Sequence, residues 1–157
     1  MKKLFFSALC ALLAATGAHA QSKADHLAII VGKNNALDSV TAAELQKIFR
    51  AEKAKGPDGT KFVIVMQDAS QPARAAALAG IYKMTDAEYN KYFLQATFTG
   101  AVTAAPKAMS AAAVKKFVAE TPGAIGYVRA DEADDTVKVV KVDGHAPGEA
   151  DYKLTMK

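Results

Sequence analysis

A short apolar run that turns directly into a helix constrains this chain more than any other segment. Residues 60–82 read TKFVIVMQDASQPARAAALAGIY. Residues 62–66 (FVIVM) have the length and β-branched content of a buried strand. A polar turn follows, and then Ala75, Leu78, Ala79 and Tyr82 recur at i, i+3, i+4 and i+7, which predicts an amphipathic helix. Ser70 suits the N-cap of that helix, and Pro72 suits its first turn. A helix that starts where a buried strand ends presents unpaired N–H groups and a positive dipole end. Such a place can hold an anion.

The first 20 residues read as an export signal. Lys2 and Lys3 form a charged start, residues 4–15 are apolar, and Ala18-His19-Ala20 has the A-x-A form of a cleavage site. The apolar stretch is too short to span a bilayer, and Cys10 lies inside it. The expected mature chain, residues 21–157, is one domain, long enough for a core and free of cysteine. Loss of the two lysines lowers the formal charge from +4 to +2. That is too little for the dense basic face that nucleic acid requires. The expected location is the periplasm, with no membrane span after cleavage.

Strands and helices alternate along the rest. Residues 26–31 (HLAIIV) predict a buried strand. Thr41-Ala42-Ala43-Glu44 and Thr85-Asp86-Ala87-Glu88 are capping boxes that open helices. The first helix buries Leu45, Ile48 and Phe49. The second turns Tyr89, Tyr92, Phe93 and Ala96 to one face. Residues 97–109 read as an irregular loop, and Ser110 caps a helix that buries Val114, Phe117 and Val118. Strands are expected over 124–128 and 136–142, with an edge strand near 152–156. This alternation predicts an α/β domain with a mixed or mostly parallel sheet flanked by helices. Ligands of such sheets bind at the carboxyl ends of the strands.

Catalytic and metal chemistry find little to work with. His26 and His145 are the histidines that remain after residue 20, and they lie far apart in sequence. No HExxH, GxSxG or P-loop spacing occurs. The acidic run 131–135 reads as a solvated loop. The chain is therefore expected to be no enzyme and to carry no metal or cofactor.

Candidate ligand-binding residues each leave two readings open. Ser70 can offer its hydroxyl to an oxyanion, or cap the helix. Asp68 accepts hydrogen bonds when ionised. It can take the proton of an oxyanion such as hydrogen phosphate, or stabilise its own turn. Arg74, in the first helical turn, can fork onto an anion, or sit in solvent or pair with Asp68. Thr99 and Gly100 can line a cleft, or stop the helix before them. Gly126 within a strand can permit close backbone approach, and Tyr127 reads as core.

The order of features resembles one lobe of the periplasmic phosphate-binding components of ABC uptake transporters. The resemblance runs over about residues 26–144. It rests on HLAIIVGKNN, SVTAAELQKIFR with its GPDGT loop, VIVMQDASQPARAAAL, FTGAVTAAP and, most diagnostically, AAAVKKFVAETPGAIGYV. More closely, the chain is similar to short, signal-bearing phosphate-binding-like proteins with a single such lobe. The resemblance implies a periplasmic-binding-protein-type lobe that binds a small oxyanion, phosphate first. Asp68, Ser70, Gln71, Arg74, Thr99 and Gly100 are the implied contacts, and an envelope protein or a transporter is the implied partner. The family's turn has the form Arg-x-Asp-x-Ser-Gly-Thr. Here Asp68 and Ser70 match, Met66 takes the arginine position, and Gln71-Pro72 replaces Gly-Thr. Pro72 brings no N–H, and Arg74 is placed to restore a charge. An interaction or sensory module without a tight ligand is the alternative reading.

Overall fold

A computed structural model describes residues 22–156. The expected export signal, residues 1–20, lies outside them. After a short 3-10 turn at Lys23–Asp25, the chain forms strand β1 (Leu27–Gly32), strand β2 (Ser39–Val40) and helix α1 (Ala42–Phe49). Strand β3 (Val63–Gln67) leads into helix α2 (Pro72–Ala77), which continues as a π-helical turn over Leu78–Tyr82. Helix α3 (Asp86–Phe98), strand β4 (Lys107–Met109), helix α4 (Ala111–Glu120), strand β5 (Ala124–Arg129) and strand β6 (Val137–Val142) complete the order.

The six strands form one mixed sheet in the order β2-β6-β1-β5-β3-β4. β1 is antiparallel to both β5 and β6, while β5, β3 and β4 run parallel to one another. Helices cover both faces, which explains why β1 reads as an unbroken apolar run. Leu27, Ile29 and Val31 meet one core, with Leu45, Ile48, Phe49, Met66 and Tyr127. Ala28 and Ile30 meet the other, with Val65, Val114, Val118 and Val128. Full burial of each large side chain contributes about 1.5–3 kcal/mol.

Two glycines are demanded by geometry. Gly123 has φ +77°, and a Cβ there would lie 2.1 Å from the Lys61 carbonyl oxygen. A Cβ on Gly126 would stand 2.8 Å from Val65 Cγ2 and 2.9 Å from Val114 Cγ1. Its bare backbone therefore lets α4 lie close on the sheet.

Both capping boxes form as expected, at Thr41/Glu44 and Thr85/Glu88, and Ser110 caps α4 through the Ala113 N–H. Other expectations need correction. Ser70 is not the N-cap of α2: Gln71 is, with no side-chain capping bond. Asp68 takes the Ser70 N–H at 3.0 Å and the Ser70 hydroxyl, which closes a local turn before the helix begins. The 97–109 segment is not wholly irregular, since α3 runs through Phe98 and β4 closes the stretch. No strand forms at 152–156. That segment instead makes one bridge, His26 to Thr155, with Leu27 N–H donating to Leu154 O and Met156 N–H to Asp25 O. Phe117 is half-buried rather than buried.

Candidate functional site

The turn at residues 68–71 leaves the carboxyl end of β3. Beside it, β4 ends in register, with Gln67 paired to Met109. Asp68 N–H donates to Met109 O at 2.9 Å and ties the two strand ends together. α2 then packs in the core with Met66 and Tyr127, while α4 packs in the core with Val65 and Val128. Neighbouring parallel strands thus send their helices to opposite faces of the sheet. In α/β sheets that divergence opens a crevice at the strand ends, where ligands collect. Both helices begin within four residues of the Asp68–Met109 bond.

Asp68 is half-exposed, and its two oxygens differ. Oδ1 is taken up by Ser70. Oδ2 has no hydrogen-bond partner among the described residues. Ser70 is exposed, and its Oγ also accepts from Gln71 Nε2 at 3.3 Å. The turn therefore presents a rotatable hydroxyl, an amide side chain and one open carboxylate oxygen.

Arg74 sits differently from the sequence expectation. It is only 9% exposed. Its Nε and Nη2 donate to Asp86 Oδ1, Nη1 donates to Gln67 O at 3.2 Å, and the guanidinium lies 5.2 Å from the centre of the Tyr89 ring. It pairs with Asp86 at the start of α3, not with Asp68. Its charge joins the end of β3 to the start of α3.

The wall behind the turn is buried and largely aromatic. Buried Gln67 donates its backbone N–H to Tyr127 Oη at 3.1 Å and its side-chain amide to Tyr127 O at 3.1 Å. Burial pushes the Tyr127 phenol well above its ordinary range and the Tyr89 phenol up to about 12. These phenols stay neutral and donate or accept hydrogen bonds without titrating.

Thr99 and Gly100 are not brought to the turn. Thr99 is the C-cap of α3, and its hydroxyl donates to Gln95 O at 3.0 Å. Gly100, at φ +74°, lines a cavity of about 430 Å³ with Val63, Ile64 and Lys107, at the amino ends of β3 and β4. The length of β3 separates it from Asp68. A cleft at Gly100 was one of the open sequence readings, but not one shared with residues 61–64. The sequence signal was the small, largely apolar stretch AVTAAP at residues 101–106. Among the described residues no cluster of His, Cys, Asp or Glu could hold a metal ion, and no helix is long and apolar enough to cross a membrane.

No family model and no curated protein matches the sequence. The fold does match solved structures. One is assigned as a phosphate ABC transporter substrate-binding protein with bound phosphate, from Clostridium perfringens. It aligns at 21% identity and TM-score 0.64, covering 78% of this chain and 47% of its own. An ABC-type phosphate transport receptor from Vibrio cholerae aligns at 18% identity and TM-score 0.60, covering 78% and 48%. PstS from Borrelia burgdorferi aligns at 20% identity and TM-score 0.62, covering 83% and 54%. The chain spans about half the length of these structures. Its architecture is that of a periplasmic-binding-protein lobe, as the sequence resemblance implied.

Proposed function

We propose that the chain is an exported, periplasmic, non-enzymatic binder of a small oxyanion, phosphate first, and that the turn at residues 68–71 holds the anion. One observation carries this reading. The Asp68–Met109 bond marks the point where the chain leaves β3 and β4 for helices on opposite faces, with two helix N-termini beside it. In the proposal Ser70 turns its hydroxyl from Asp68 to the anion, and the Gln71 side chain adds a donor. The open Asp68 Oδ2 accepts the proton of hydrogen phosphate and repels an anion without one. Arg74 touches no ligand here. It positions the turn through Gln67 O and lends a partly neutralised field. Thr99 and Gly100 fall outside this site, and an envelope protein or transporter is the partner that the reading requires.

Amide NMR tests the proposal. Added phosphate is expected to shift the backbone signals of residues 68–71 and 73 in a saturable way. Unmoved signals at millimolar phosphate, or shifts scattered over the surface lysines, count against it.

A second reading, an envelope interaction module, is favoured by one observation. Leu94 and Phe98, four residues apart on α3, are 74% and 91% exposed. Capture of an envelope partner that Leu94→Glu/Phe98→Glu abolishes and Asp68→Asn leaves intact favours the module over the binder.

A further inference from the structure

At the end of the sheet away from the turn, a cavity of about 430 Å³ opens between the start of β3, the end of α3 and the loop at residues 100–106. Its apolar lining includes Phe62, Val63, Ile64, Phe93, Val102 and Pro106. Val63 is the outlier in β3: it is 37% exposed, although it lies in a strand whose later residues are buried. The loop over the cavity is equally unusual. Ala101, Ala104 and Ala105 are exposed in a segment that would ordinarily carry polar turn residues. Surface here is apolar on both sides of a concavity whose volume lies in the small-molecule range of about 300–1,000 Å³.

The charged part of the lining has one sign. Lys53, Lys61 and Lys107 contribute to it, and no carboxylate does among the described residues. The three lysines differ in how free they are. Lys53 is paired with Glu44 at 3.0 Å. Lys107 Nζ stands 5.7 Å from the centre of the Phe117 ring. Lys61 is exposed and has no ion-pair partner among the described residues. An apolar pocket edged by an unengaged ammonium suits a ligand with the complementary division: an apolar body and one anionic head.

We propose that this cavity binds a small amphipathic organic anion, a carboxylate on an aromatic or branched apolar body, with Lys61 as its charge partner. The body lies against Val63, Phe93 and Val102. The carboxylate meets Lys61 at the rim, and the exposed Lys107 can leave its Phe117 ring contact to join it. Inorganic phosphate has no apolar part and gains nothing from this lining. The inference is therefore independent of the proposal for the 68–71 turn, and either can fail without the other.

The test is amide NMR of the protein with phenylacetate, 2-phenylethanol, inorganic phosphate and poly-glutamate as separate additions. Phenylacetate is expected to shift the signals of residues 61–64 and 100–107 saturably. The neutral alcohol should bind about tenfold more weakly at the same place. Lys61→Glu should weaken phenylacetate binding by about tenfold while leaving signal dispersion intact, and Lys61→Arg should retain it. Equal binding of the acid and the alcohol overturns the proposal, and so does indifference to Lys61→Glu. Shifts at these residues with phosphate, or with poly-glutamate but not phenylacetate, also overturn it.

Discussion

Arg74 donates from Nε and Nη2 to a single carboxylate oxygen of Asp86, at 3.0 and 2.7 Å. An arginine in the first turn of a helix opposes the helix dipole, and in this chain a residue twelve positions on offsets that cost. The pair fixes where β3 hands over to α2, because the same guanidinium also binds Gln67 O.

Asp86→Asn leaves that buried guanidinium facing a neutral amide. Removing one member of a fully buried pair costs about 3–5 kcal/mol. The Asp86 side chain is 54% exposed, so water compensates in part. The expected loss is about 1–2 kcal/mol in urea unfolding. An unchanged midpoint would show that Arg74 does not depend on Asp86.

Tyr127→Phe removes the acceptor of the buried Gln67 N–H. A buried donor left without a partner costs about 1–3 kcal/mol. The same variant should speed hydrogen exchange at the Gln67 amide. Exchange as slow as in the wild type would mean that Tyr127 Oη does not hold the end of β3.

Gly123→Ala places a methyl group 2.1 Å from a backbone oxygen, at a φ that alanine disfavours. Neither chain can give way easily, because Val63 N–H donates to Gly123 O at 2.9 Å. The expected destabilisation is about 2–4 kcal/mol, read as a lower Tm. A loss under about 1 kcal/mol would contradict the close approach of the two segments.

Acid sensitivity should trace in part to Asp134. Lys115 Nζ, 2.6 Å from its carboxylate, holds it well below the ordinary range, with further hydrogen bonds from Thr136. A carboxyl whose folded value is depressed stabilises the fold above its unfolded value, here near 3.8. That contribution fades as pH falls below this value towards the lower folded one. Asp134→Asn should therefore be less stable than the wild type at neutral pH, and the gap should close in strong acid. A gap that stays constant with pH would contradict the assignment.

What was legible in the sequence was local. The capping boxes at Thr41 and Thr85 declare themselves within four residues, and β1 and β3 within six. Strands β2 and β4 were not legible, because SV and KAM carry no strand pattern of their own. They form strands because β6 and β3 stand beside them. The same limit governed the site. The turn joining Asp68 and Ser70 was legible, since it is contiguous. The partner of Arg74 was not, because proximity to Asp86 exists only once α2 and α3 are folded together. Ser70 read as a cap because serine usually is one; Asp68, two residues earlier, competes for it and wins.

In the proposed site, Asp68 reads the proton of an oxyanion bound at its turn. Calorimetric titration of the wild type and Asp68→Asn with phosphate and with sulfate tests it directly. The wild type is expected to prefer phosphate by about tenfold or more, and Asp68→Asn to lose this preference by gaining sulfate. Absence of phosphate heat in the wild type at millimolar concentration, or an unchanged preference in the variant, would contradict it.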